Sequence, residues 1–496
     1  MSSDFRDKAL HLFALSALAL AQPFYDVIDD NVTFLTAHSV GPADVALLTF
    51  VIMAGLPLLF IFAIFLSGRL SKFFHEVIYT ALFVSLSGLT ALPIIKDIPS
   101  YSGNTKIILA TFIGMVAYIM YRRYQPLRLF LSYLAPLVFL FPVNFLFYTD
   151  VTKLIFPKTQ GTHHPISHID EERKVPIVLI VLDEFPLTSL LNEYGEIDSV
   201  RYPHFKELSK NSFWFRNAIT ISEWTDLALP AILTGQYPSG TRTKIPTDED
   251  YPNNLFTLLK PHYDFKVFEE ITKLCPREKC KNPDFFGFST NTFGIYLDAM
   301  ILFGHTVLPE DYSNRLPSIQ NRWKNFKRWN KDKWEKVYDD RLERVGNFLE
   351  SINPENQSTL HFLHLTLPHS PTIYLPSGKA YDGMGNMIIG RQQKKDMWTL
   401  DSWMVTQAYQ RHLLQVGYTD KIIGRIIEKM KTSGIYDDAL LVITADHGIS
   451  FLPGERARGS TQFNYSDILS VPLFIKLPHQ KKGALKKEII QVVDIL

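Results

Sequence analysis

Charge of either sign is scarce in the first third of this chain, and cysteine is scarce throughout. Lys and Arg number 51 against 50 Asp and Glu, so the net charge is +1 and gives no reason to invoke nucleic acid as a partner. Two cysteines, Cys275 and Cys280 in CPREKC, are too few soft ligands for a zinc site of their own. What is plentiful is apolar. Aromatics make up 13% of the residues, with the excess before about Tyr148, and charged residues become frequent only after Asp150. That shift in composition is the main domain boundary in a chain long enough for two or three domains.

Five apolar segments precede the boundary: Ala9 to Phe24, Val45 to Leu66, Val77 to Ile95, Ile107 to Tyr121 and Leu127 to Phe147. Several approach the ~20 residues that cross a bilayer. Five in succession read as a transmembrane α-helical bundle over residues 1–150, not as core helices of a soluble protein. Arg6, Lys8, Arg69, Lys72, Arg122, Arg123 and Arg128 mark one side, and Asp26, Asp29, Asp30 and Asp44 the other. The positive-inside rule then puts the N-terminus in the cytoplasm and everything after Asp150 on the extracytoplasmic side of the lipid bilayer. Ala19-Leu20-Ala21 also reads as a signal-peptidase site, but a cleaved signal with four spans delivers the C-terminal domain to the same face. Five spans is the preferred reading, since no obvious mature-domain start follows Phe24. An outside compartment permits Cys275 and Cys280 to pair, and a loop-pinning disulfide is expected. Residues 151–175, with TQGTHHPISH, read as a juxtamembrane linker in which His163, His164 and His168 are solvated, not metal-bound.

Beyond the linker, two stretches share one grammar. PIVLIVLDE runs apolar from Ile177 to Leu182 and ends in Asp183 and Glu184; LLVITADHG runs apolar from Leu440 and ends in Asp446 and His447. Short apolar runs of this kind read as buried parallel strands, and open α/β sheets gather ligands at the carboxyl ends of such strands. If the two strands are neighbours, their tips bring hard oxygen ligands and a histidine to one edge. Between them, ISEWTDLALPAILTGQYP suits a helix over Leu229 to Leu233 closed by Gly235, with Thr225 just ahead of it. A threonine there is either a cap or a nucleophile placed where helix N–H groups favour a bound anion. Thr359 to Leu367 reads as a strand delivering His364 and His369, and Asp401 to Thr432 as a long helix. Arg456 and Arg458 in GERARGS read either as an anion clamp or as part of a solvated loop.

The ordered series VLIVLDE, T-x-L-x-L-x-x-x-L-T-G-Q-Y-P, LHLTLPHSP, TADHG, VPLFIKLP and QVVDIL resembles the alkaline phosphatase superfamily in its sulfatase-like branch. The resemblance covers roughly residues 176–496 and implies a three-layer αβα catalytic domain. With the preceding spans, the layout is similar to that of lipoteichoic-acid synthases and phosphoethanolamine transferases. By position, Asp183 resembles the first metal ligand, Glu184 the second acid that sulfatases often carry and so a further expected metal ligand, and Asp446 and His447 the paired ligands. Thr225 stands nine residues ahead of the Thr of L-T-G, where the family has its nucleophile, and His364 and His369 resemble histidines that contact the substrate anion or leaving group.

One departure bears on the reaction. Sulfatases mature a Cys or Ser to an aldehyde hydrate, which a threonine cannot become, and Leu227 and Leu229 replace the Pro and Arg of C-x-P-x-R. The expectation is therefore a divalent-metal enzyme, with zinc or manganese favoured over calcium or magnesium, that uses Thr225, itself a metal ligand, on a phosphate-containing headgroup ester. Phospholipid, glycolipid or envelope-polymer substrates suit that reading. The alternatives are a sulfuric ester hydrolase and a catalytically silent lipid-binding or regulatory protein of the same fold. A helical insertion is expected near residues 297–356, carrying the Trp- and Lys-rich NRWKNFKRWNKDKWEKVY, either as a membrane-surface helix or as packing on the domain. Family members continue past VVDIL, so a last strand or helix is expected beyond Leu496.

Overall fold

The structure, a computed structural model, describes residues 3–38, 40–99, 101–156, 174–238, 246–269, 271–276, 279–280, 292–317, 319, 340–353, 358–380, 390–392 and 396–496. The expected linker histidines and the Trp- and Lys-rich stretch fall outside these residues. The chain forms two compact units. One comprises Met1–Pro157 and Pro283–Lys327, the other Lys158–Asn282 and Arg328–Leu496.

The first unit holds five helices long and apolar enough to cross a membrane: Asp4–Asp30, Pro42–Leu70, Lys72–Ile95, Gly103–Arg123 and Gln125–Phe147. Their outward faces are apolar, with Leu59, Phe62, Ile108 and Phe112 all exposed. Several polar side chains turn inward and are paired. Lys8 is buried against Asp4 at 3.0 Å and Glu76 at 2.5 Å. His11 sits between the Tyr121 and Ser132 hydroxyls, each at 2.9 Å, and the Tyr79 hydroxyl donates to Tyr121 at 2.9 Å. The same unit takes up a helix from far along the chain, Thr292–Val307. Asp298 Oδ2 on this helix meets His38 Nε2 at 3.1 Å with both side chains buried, and the Gly103 N–H donates to Asp311 at 2.6 Å. The region read as one insertion over 297–356 is thus divided, with its first part in the helical unit and the helix Asp340–Ser351 in the other. Gly294–Val307 is itself apolar, and that was the signal available in the sequence.

The second unit is built on a seven-stranded sheet. Its strands are β1 (Ile177–Asp183), β2 (Phe213–Ile219), β3 (Asp264–Phe268), β4 (Thr359–Pro368), β7 (Leu440–Ala445), β8 (Leu473–Lys476) and β9 (Ala484–Gln491), in the order β3-β4-β1-β7-β8-β2-β9. A two-stranded ribbon, β5 (Arg391–Gln392) and β6 (Met397–Trp398), stands apart. Strand β8 runs antiparallel to both β7 and β2, while β3, β4, β1 and β7 are parallel. β4 is buried along its whole length and β1 from its second residue, as the continuous apolar runs predict for strands covered on both faces. Adjacent residues of β4 show the two covers. His361 packs on Phe348 of helix Asp340–Ser351, and Phe362 on Phe256 of helix Leu255–Leu259. This mixed α/β layering is the fold expected from the motifs. The long helix spans Ser402–Thr432 and is capped by Asp401, whose carboxylate accepts from the N–H groups of Trp403 and Met404. Cys275 and Cys280 are disulfide-bonded, with Cα atoms 6.0 Å apart.

Candidate active site

Strands β1 and β7 are neighbours, in register from Ile177 opposite Leu440 to Leu182 opposite Ala445. Their tips therefore end side by side. The Asp446 N–H continues the ladder to the Leu182 carbonyl at 3.0 Å, the Glu184 N–H donates to Asp446 Oδ1 at 3.1 Å, and the Phe185 N–H donates to the His447 carbonyl at 2.7 Å. The turn after His447 has to pass close to other backbone. A Cβ at Gly448 would lie 2.0 Å from the Asp467 carbonyl oxygen and 3.0 Å from Pro186, so glycine is required there. On the other side, β4 brings its own end alongside, where the His369 N–H donates to the Asp183 carbonyl at 3.0 Å.

Asp183, Asp446 and His447 converge. His447 Nε2 is 3.9 Å from Asp183 Oδ1 and 3.7 Å from Asp446 Oδ2. Its Nδ1 lies 2.9 Å from the Gly448 carbonyl, which can only accept, so Nδ1 carries the proton and Nε2 presents its lone pair to the carboxylates. Thr225 joins them from another element. It is the first residue of the helix Thr225–Thr234, which Gly235 closes in the left-handed conformation at φ 65, and its Oγ1 is 3.3 Å from His447 Nε2. His364 reaches the same place from β4, with Nε2 4.0 Å from Asp446 Oδ2.

The donor chemistry fits a divalent cation. Asp183 Oδ1 and Asp446 Oδ2 are buried with no hydrogen-bond partner, and ligand atoms of Asp183, His364 and Asp446 lie within 4.8 Å of one another. Burial first, and then the Asp446 carboxylate beside it, push the Asp183 carboxyl well above the usual carboxylate range. A cation among these groups would reverse that penalty.

Glu184 looks the other way. Its backbone takes the left-handed conformation at φ 61, which costs a non-glycine residue about 1–3 kcal/mol. The side chain is directed to Arg458, whose Nε donates to Oε1 at 2.6 Å. Burial alone would raise this carboxyl, but Arg458, and then His369, hold it well below the usual range. Glu184 therefore has a committed partner, unlike Asp183, and Arg458 of GERARGS is turned into the protein. The Arg458 N–H in turn donates to Asp396, which Arg391 also engages at 2.8 Å. Arg458 was legible only as one of two options, because nothing local distinguishes an inward arginine from a solvated one. His369 lies beside this pair, with Nε2 3.9 Å from Glu184 Oε2 and Nδ1 donating to the Ser370 carbonyl at 2.5 Å. Burial lowers the imidazoles of His364 and His369 to about 4. His412, which the sequence did not single out, is likewise buried and lowered to about 4, with Nε2 3.1 Å from the Ser189 hydroxyl.

Comparison with known proteins accounts for these motifs. The sulfatase family pattern matches residues 176–496. An ulvan-active sulfatase of Formosa agariphila is 23% identical over 360 residues, 67% of this chain, and the chain spans 62% of that relative's length. Among solved structures, the phosphonate monoester hydrolase of Silicibacter pomeroyi is similar over 65% of this chain and 71% of its own, at 19% identity and a TM-score of 0.42. That of Agrobacterium radiobacter is similar over 65% and 72%, at 15% identity and a TM-score of 0.41.

Proposed function

The chain belongs to the sulfatase family of the alkaline phosphatase superfamily, and from that premise we propose a membrane-anchored, metal-dependent hydrolase or transferase that opens a phosphate-containing headgroup ester through the Thr225 hydroxyl. The observation that carries the reading is the position of Thr225 Oγ1, 3.3 Å from His447 Nε2 at the first residue of a helix. Asp183, Asp446, His447 and Thr225 would hold the ion. When bound, a divalent ion supplies Lewis acidity that favours the threonine alkoxide and offsets charge on the phosphoryl oxygens.

The chain's own groups divide the remaining work. First-turn N–H groups of helix Thr225–Thr234 favour the negative charge of the phosphoryl group. Thr225 Oγ gives up its proton and forms a bond to phosphorus as the ester P–O bond breaks, and that proton passes to the departing oxygen. In the second step an acceptor hydroxyl or water forms the new P–O bond, and the Thr225 Oγ–P bond breaks. His369, with Nδ1–H fixed on Ser370, exchanges the proton at Nε2. The paired Glu184 and Arg458 hold His369 in place from behind.

The five long apolar helices support an integral, multi-pass membrane protein. The distribution of Lys and Arg between them supports an extracytoplasmic catalytic unit, in reach of envelope lipids or polymers. A second reading, hydrolysis of a sulfuric ester, is favoured by the similarity to a sulfatase active on ulvan. Turnover of an aryl phosphodiester and an aryl sulfate by the full chain in detergent, with zinc or manganese, tests both. Thr225→Ala is expected to lose phosphodiester turnover while Thr225→Ser keeps part of it. Undiminished turnover in Thr225→Ala would overturn the threonine chemistry, and faster turnover of the sulfate would favour the second reading.

A further inference from the structure

Two histidines of β4 differ in a way their sequence context does not foretell. His361 and His364 lie three positions apart on the same strand and are 1% and 0% exposed. His361 has a partner, the Ser351 hydroxyl 3.2 Å from Nδ1, and meets the Phe348 ring edge-on. His364 has neither Nδ1 nor Nε2 in a hydrogen bond. Buried polar atoms in folded proteins are nearly always paired, so an imidazole with both nitrogens unpaired in a core points to a missing partner.

The register shows where that partner belongs. His364 stands opposite Val181 on β1, just short of the tip that carries Asp183. Its Nε2 is 4.0 Å from Asp446 Oδ2, an atom that is itself unpaired, as is Asp183 Oδ1. The ligand atoms of these three residues lie within 4.8 Å of one another, and those of His447 lie 3.7 and 3.9 Å from the two carboxylates. Such separations are too long for direct hydrogen bonds and suit ligands that share one ion. With no exposed surface of its own, His364 is also poorly placed to meet a substrate from outside.

We propose that His364 is a metal ligand, joining Asp183, Asp446 and His447 in a set of two carboxylates and two imidazoles to which Thr225 adds the hydroxyl that faces substrate. The inference rests on the proposed function for its reading of Asp183 and Asp446 as ligands. It narrows that reading in two ways. Glu184, committed to Arg458, stands outside the set. Two imidazole nitrogens favour zinc or another borderline transition ion over calcium and magnesium, which prefer oxygen ligands.

The test uses the full-length chain in detergent, stripped with a chelator and titrated with zinc alone. His364→Ala is expected to weaken zinc binding at least about tenfold; a variant that is folded by circular dichroism and binds zinc with wild-type affinity would overturn the proposal. X-ray absorption on the zinc-loaded wild-type protein decides the matter independently of how the variant folds. Two imidazoles on the ion are expected, and one or none would overturn it. Two imidazoles together with full turnover in Thr225→Ala would instead sink the threonine chemistry and leave His364 a ligand.

Discussion

The helical unit and the α/β unit bury opposite things. In the helical unit apolar side chains such as Leu59, Phe62 and Ile108 face outward while Lys8, His11, His38 and Asp298 lie inside. In the α/β unit the apolar strands form the core, and buried polar groups gather where three strands end. The more telling difference is in how those polar groups are satisfied. Lys8 has Asp4 and Glu76, His11 has Tyr121 and Ser132, and His38 has the Phe34 carbonyl and Asp298. Asp183 Oδ1, Asp446 Oδ2 and both nitrogens of His364 have nothing. Closed networks of this kind hold helices together, whereas the polar atoms gathered at the strand tips are left open. Burial of a charged or polar group therefore does not identify a site; burial without a partner, shared by several groups facing one point, does.

The strongest way to break this comparison is to remove one of the residues at the strand tips. Asp446→Ala should bind no stoichiometric zinc or manganese by elemental analysis, and should lose turnover by about a thousandfold or more. Retention of both would show that the unpaired atoms have no ligand. The next test asks what a closed pair inside the site is worth. Arg458→Ala leaves the Glu184 carboxylate buried and alone, and should lower stability by about 3–5 kcal/mol in denaturant unfolding. The double variant Glu184→Gln with Arg458→Met should recover much of that loss.

A third experiment probes His361, the paired histidine of β4, by acidification. Burial, and then Lys266, lower His361 to about 4, against about 6.5 in an unfolded chain. The unfolded state therefore takes up a proton that the folded state refuses as pH falls from 6.5 towards 4. Stability should drop across that window by up to about 3 kcal/mol, and remain level below it for this group. Unfolding profiles of His361→Leu should be flatter between these pH values than those of the wild type. The smallest effect belongs to the helical unit. His11→Leu leaves the Tyr121 and Ser132 hydroxyls short of a partner and should cost about 1–3 kcal/mol in thermal unfolding, with turnover unchanged.

Much of this was legible in the sequence because the signals are local. Two apolar runs ending in acids became β1 and β7, the periodic stretch ending at Thr432 became one helix, and Gly235 closes the helix that Thr225 begins. What escaped reading depends on contacts between distant residues. The inward turn of Arg458 is set by Glu184, the unpaired state of His364 by its register against β1, and the place of Thr292–Val307 by His38 and Lys96. The antiparallel seat of β8 between β7 and β2 is likewise a matter of sheet order, which no single segment encodes.

The order of the sheet also dictates when the site can exist. Strand β1 lies inside it, between β4 and β7, yet both neighbours are made much later, and Glu184 and Asp446, joined by a hydrogen bond, are 262 positions apart. A newly made chain must carry the apolar β1 unpaired until β4 has emerged, and its other edge open until β7 follows. Assembly of the group of residues at the strand tips is then among the last events of biogenesis, and it is slow in the way that sheets of distant strands are slow. In the interval the exposed β1 edge invites mispairing, so yield should depend on chaperone supply more steeply than the stability of the finished protein would imply.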